Sequence, residues 1–135
     1  MAGFTYRYRL SGGAPTIMNL LSTDTLTVYK GDFMNLETGE LDIAATDDSA
    51  LVGAILETKA VVDSTTRINV ITDADAVYGV EDANARYVGE TLDLSVTPGA
   101  MTVTTNSHAD VTVVAESTAT EETLVMITHG ESWLN

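Results

Sequence analysis

Apolar and polar residues alternate with a period of two at the start of the chain. In residues 3–10, GFTYRYRL, Phe4, Tyr6, Tyr8 and Leu10 fall on one side of an extended strand. Thr5, Arg7 and Arg9 fall on the other. Ser11-Gly12-Gly13-Ala14-Pro15 then breaks the pattern with flexible residues and a proline, as a hinge does. Residues 3–10 therefore read either as an arm joined to a body or as an ordinary first strand of its sheet. The expected organisation is an N-terminal arm and hinge over residues 1–15 and a single β-barrel-like domain over 16–135.

Beyond Thr16 the apolar runs are short and the turn signals regular. Ile17–Leu21 and Thr25–Tyr29 are candidate strands. From Lys30 to Glu57, the apolar positions Phe33-Met34, Leu36, Leu41, Ile43, Leu51-Val52 and Ala54-Ile55-Leu56 lie between turns at Gly31-Asp32, Thr38-Gly39 and Asp47-Asp48-Ser49. That spacing predicts a tight β-meander. Further strands fit Val61-Val62, Arg67–Thr72, Val77–Val80, Thr91–Val96, Met101–Thr105, Asp110–Ala115 and Thr123–Thr128. Turn residues at Asp63-Ser64, Asp73-Ala74-Asp75, Pro98-Gly99, Asn106-Ser107 and Glu121-Glu122 separate them. One helical turn is expected, over Asp82–Tyr87 with Asp82 as its N-cap. The pattern predicts an all-β fold, a small β-barrel or compact sandwich of short antiparallel strands with little helix.

Composition supports that class. With 135 residues, 44% of them apolar and 19% charged, the chain is long enough for one domain with its own core. Threonine and valine, both β-branched, are abundant and suit pleated, half-buried surfaces. Twenty acidic residues against six basic ones set a formal charge of −14. Such a surface repels phosphate, so direct binding of nucleic acid is not expected. The charge is uneven: before Gly31, Arg7, Arg9 and Lys30 stand against Asp24 alone. No apolar h-region opens the chain and no run approaches transmembrane length, so neither an export signal nor a membrane partner is expected.

Candidate chemistry is sparse. The absence of cysteine removes disulfides, thiolate metal sites and cysteine nucleophiles. His108, in a turn, and His129, near the C-terminus, lack the convergent partners that zinc requires and read as surface histidines. Asp73-Ala74-Asp75 and Asp47-Asp48 lack the glycine and terminal glutamate of a calcium loop and read as solvated turns. Glu57-Thr58-Lys59-Ala60 resembles a lipoyl-attachment hairpin but lacks the aspartate before the lysine, so Lys59 reads as an edge or loop lysine. No G-x-S-x-G elbow is present, and the glycines are scattered as turn makers. The expectation is no catalytic residue, no metal and no cofactor.

Residue types that suit interfaces are better represented. Tyr6, Arg7, Tyr8 and Arg9 cluster the kinds of side chain that dominate binding hot spots. Trp133, the only tryptophan, either folds back over the core or anchors a partner. With Phe4, these six residues form the candidate set for binding a shell or another subunit.

Lys30-Gly31-Asp32-Phe33, Leu36-x-x-Gly39, Leu41 to Ala45, and Ala50-Leu51-Val52-Gly53-Ala54 resemble the small decoration, or cement, proteins of tailed-bacteriophage capsids. Val70–Asp73 with Ala76-Val77-Tyr78, and Asp82–Ala85 with Val88–Leu94, are similar to the same group. The match runs from about Ala14 to Leu94 and more loosely through the C-terminal strands. The resemblance implies a non-enzymatic β-barrel protein on the outer surface of an HK97-fold head, stabilising contacts between capsomers. Its implied partners are the major capsid protein and further copies of itself, most often as trimers. A β-sandwich that binds ligand or glycan on a virion is the alternative, and a lipoylated carrier domain is a more distant one.

Overall fold

The computed structural model describes residues 3–22, 26–45, 48–61, 65–105 and 108–134. Val62, Asp63-Ser64, Asp47 and Asn106-Ser107 lie outside the described residues. Thirteen strands are described: β1 (Thr5–Arg9), β2 (Ile17–Leu21), β3 (Leu26–Val28), β4 (Phe33–Glu37), β5 (Glu40–Ile43), β6 (Leu51–Ala54), β7 (Lys59–Val61), β8 (Arg67–Ile71), β9 (Ala76–Val80), β10 (Thr91–Ser95), β11 (Thr102–Thr104), β12 (Val111–Val113) and β13 (Thr123–Ile127). They make a six-stranded antiparallel sheet in the order β1-β9-β13-β12-β10-β11 and a three-stranded sheet β5-β4-β6. Two ribbons, β2-β8 and β3-β7, complete the fold. Among the described residues no strand pairs with the outer edge of β1 or of β11, so the architecture is sandwich-like and not a closed barrel.

The layers enclose two apolar clusters. Phe4, Phe33, Leu51, Ile71 and Tyr78 pack with Leu92, Leu94, Val111, Val113, Val125 and Ile127 beneath the large sheet. Val28, Met34, Leu41, Val52, Ile55, Ile68 and Val70 form the second cluster, with Leu20 and Trp133 packed against it. Period-two patterning explains both. In β13, for example, Thr123, Val125 and Ile127 point inward while Leu124 and Met126 are only half-buried.

Three sequence expectations are corrected here. The segment from Lys30 to Glu57 is not a meander in strand order, because β6 crosses over and pairs with the far edge of β4. No helix forms at Asp82–Tyr87. Arg86 instead exchanges main-chain bonds of 3.0 Å with Ser117 in an antiparallel bridge, which an α-helical backbone could not make.

The third correction concerns the first strand. Thr5–Arg9 pairs with β9 as an edge of the large sheet, so residues 3–10 hold the first-strand position of the two readings. Its alternation fails at Arg7: Tyr6 lies opposite Tyr78 and Tyr8 opposite Val77, with Arg7 bulged between them. Phe4 and Tyr6 therefore turn toward the core, while Tyr8 is 42% exposed.

Candidate interaction surface

Phe4 is buried, with its ring centroid 4.2 Å from that of Phe33. Its partner Tyr78 is fully buried and meets Tyr6 edge-on. Phe4 thus holds β1 to the body and offers nothing to a partner. Arg7, by contrast, is exposed and engages Glu122 in a two-pronged pair, Nε to Oε1 at 2.7 Å and Nη2 to Oε2 at 2.5 Å. The Glu122 carboxylate lies directly over Gly79, where a Cβ would come within 1.4 Å of Oε1. A missing side chain on β9 therefore makes room for the pair.

Arg9 is held by two carboxylates from the turn between β8 and β9. Its Nε donates to Asp75 Oδ1 at 3.0 Å, and its Nη2 lies 3.5 Å from Asp73 Oδ1. The same turn fastens the linker beyond β1. Ser11 donates through both its hydroxyl and its main-chain N–H to Asp75, and the Thr16 N–H donates to Asp73 at 2.6 Å. These bonds hold the Asp75 carboxyl at about 2, the Ser11 hydroxyl being the largest cause. Asp73-Ala74-Asp75 is thus a clamp and not the solvated turn expected. Periodicity could not reveal this, because the clamp pairs residues more than fifty positions apart.

Trp133 folds back over the second cluster. Its indole Nε1 donates to the Thr72 carbonyl at 3.3 Å, and its main-chain N–H donates to Leu51. Lys59 lies in β7 and donates through Nζ to the Arg67 carbonyl at 2.7 Å. His108 is half-buried, with Nδ1 3.0 Å from Asp110 Oδ1. Burial raises the Asp110 carboxyl above its ordinary range, against the lowering effect of the Leu94 N–H and of His108. His129 is exposed, as expected.

Exposed apolar side chains fall in several places, Tyr87-Val88 and Leu134 among them, and one group lies beside the clamp. Leu10, Ile17 and Met18 are exposed near the Asp73–Asp75 clamp, and Tyr8 precedes them on β1. Tyr29 and Tyr87, also exposed, lie on separate turns, so no shared aromatic platform forms. An open cleft of about 800 Å³ carries Glu81, Asp82, Glu121 and Glu122 on its walls. Glu122 is already committed to Arg7, and Glu121 accepts from Thr118. Among the described residues no group of three or more histidine and acidic side chains could hold a metal ion. Nor is any helix there long and apolar enough to cross a membrane.

No protein-family model and no curated protein matches the chain. Among solved structures it is similar to the head fiber gp8.5 N base in bacteriophage phi29. That likeness has a TM-score of 0.51 at 16% identity, and it covers 85% of this chain and 97% of the other. The likeness is one of fold.

Proposed function

We propose that this chain is a structural protein of a bacteriophage virion, placed on the outer surface of the head as a decoration protein. The observation that carries the reading is its likeness in fold to a phage head fiber base, nearly all of which it covers. The motifs of residues 30–94 that resemble capsid decoration proteins support it independently. The major capsid protein is the proposed partner, and copies of this chain associate with one another. A net charge of −14 fits a protein that faces away from packaged DNA. Many copies related by symmetry turn weak single contacts into durable attachment.

The corner at Tyr8 and Leu10 is the proposed shell contact, with Arg7 and Arg9 beside it. Phe4 anchors the same strand in the core, and Trp133 packs over the second cluster. Removing residues 1–12 would not test the contact, since it strips an edge strand and Phe4 from the body. Tyr8→Ser is the better probe, because the ring is partly in solvent. Truncating a hot-spot tyrosine costs about 2 kcal/mol, or roughly thirtyfold in affinity. The expected result is that Tyr8→Ser keeps its unfolding temperature but no longer co-sediments with undecorated shells. Unchanged co-sedimentation refutes the contact, and absence of the chain from purified virions by mass spectrometry refutes the virion role.

A further inference from the structure

Strand β2 leaves an edge open. Thr72 N–H donates to the Thr16 carbonyl and Ser22 N–H to Thr66, each at 3.0 Å, with Met18 opposite Val70 and Leu20 opposite Ile68 between them. In an antiparallel pair these inward bonds recur at every second residue. Even-numbered residues of β2 therefore bond to β8, and the main-chain groups of Ile17 and Asn19 point the other way. Among the described residues no strand pairs with that outer edge at Ile17–Asn19. Ile17 is 49% exposed and Met18 38%. One outward group has a cover: Arg67 reaches across β2 and donates through Nη1 to the Asn19 carbonyl at 3.1 Å.

We infer that this edge pairs with the same edge of a second copy of the chain, antiparallel about a two-fold axis through Met18. That register sets Ile17 against Asn19 of the second copy, and the reverse, so four main-chain hydrogen bonds can form. The two-stranded ribbon β2-β8, marginal by itself, becomes the half of a four-stranded sheet. The two Met18 side chains meet at the axis as a non-hydrogen-bonded pair, the closer of the two antiparallel spacings.

Charge selects a second copy as the occupant. Residues Leu10 to Ser22 hold no charged side chain in a chain of net charge −14. A partner of opposite charge would be drawn to the acidic surfaces, whereas two equally acidic bodies approach best where neither presents a carboxylate. Salt should then strengthen the contact by screening the repulsion between the bodies. The patch is small, so the contact is weak in solution. It is also two-fold, unlike the three-fold grouping that the family resemblance implies. The inference does not rest on attachment to a capsid, and its test uses the isolated protein.

The chain has no cysteine, so Met18→Cys introduces a single thiol. Residues paired across such an axis lie within disulfide range. Under mild oxidation Met18→Cys should form a dimer, while Tyr87→Cys, on a more accessible turn, should remain largely monomeric. By sedimentation equilibrium the wild type should move from 14.3 kDa toward twice that mass as concentration and salt rise. Met18→Lys, which opposes two cations, should weaken association about fivefold or more. Arg67→Ala should tighten it by uncovering the Asn19 carbonyl. Equal cross-linking of the two cysteine variants, a wild type that stays at monomer mass at millimolar concentration, or a trimer insensitive to Met18→Lys would each overturn the proposal.

Discussion

Two strand glycines, Gly53 in β6 and Gly79 in β9, should respond very differently to the same substitution. Gly53, inside β6, has φ +154°, a region that residues with a side chain seldom occupy. A Cβ there would stand 2.2 Å from the Ile71 carbonyl oxygen and 2.5 Å from the Tyr78 hydroxyl. The first obstacle is main chain, and the second is a fully buried ring whose hydroxyl accepts a bond from the Ala54 N–H. Neither can step aside. Backbone strain of about 1–3 kcal/mol adds to overpacking of about 1–3 kcal/mol, so Gly53→Ala should cost about 4 kcal/mol. Gly79→Ala also creates a clash, but with the flexible end of Glu122. That side chain swings away and the Arg7 pair is lost. With the partners' side chains 46% and 34% exposed, such a pair is worth about 0–1 kcal/mol. The lower entropy of the unfolded alanine chain returns about 0.4–1 kcal/mol. The net change should lie within about 1 kcal/mol of zero. Urea unfolding, followed by fluorescence of the lone Trp133 and by far-UV circular dichroism, measures both. At about 2 kcal/mol per molar urea, Gly53→Ala should lower the midpoint by about 2 M and Gly79→Ala by less than about 0.5 M. Equal midpoints for the two variants would refute the packing argument.

Two further outcomes follow from the site. Asp75 is held at about 2 against an ordinary value of 3.8, so its contribution is full above pH 3.8 and is lost as pH falls toward 2. The wild type should unfold at a higher temperature than Asp75→Asn at pH 5–7, and the gap should close between pH 4 and 2; a gap that persists at pH 2 would count against the clamp. Trp133→Ala should cost about 2 kcal/mol, less than a fully buried tryptophan because the ring is only partly covered, and Trp133→Phe about 1 kcal/mol for the bond to Thr72. Thermal unfolding by circular dichroism distinguishes these from a tail that merely trails in solvent, for which both variants would match the wild type.

Particular residues show how far local reading reaches. Period two, β-branched composition and glycine or aspartate at the turns were enough for the all-β class and for most strand positions, because each of these acts within a few neighbouring residues. Gly31-Asp32 shows the limit: Asp32 does make its turn, accepting from the Tyr29 N–H, but its other oxygen ties that turn to Gly99 at 2.8 Å. Nothing within the turn itself predicts the second bond. Residue type marks Arg7, Tyr8 and Arg9 as interface residues, yet a bulge decides which of them faces solvent, and Glu122 and Asp75 decide which are already paired.

The sequence alone determined the all-β class and most of the strands, the uncharged run at Leu10–Ser22 and the acidic surface, since these are properties of composition and short-range order. Only the tertiary structure decided that β6 crosses β4, that Phe4 belongs to the core, that Asp73 and Asp75 clamp the N-terminal segment, and that β2 has an open edge. Each of those depends on which distant segments meet. Pairing between strands is set by burial summed over the whole chain, and no local pattern encodes it.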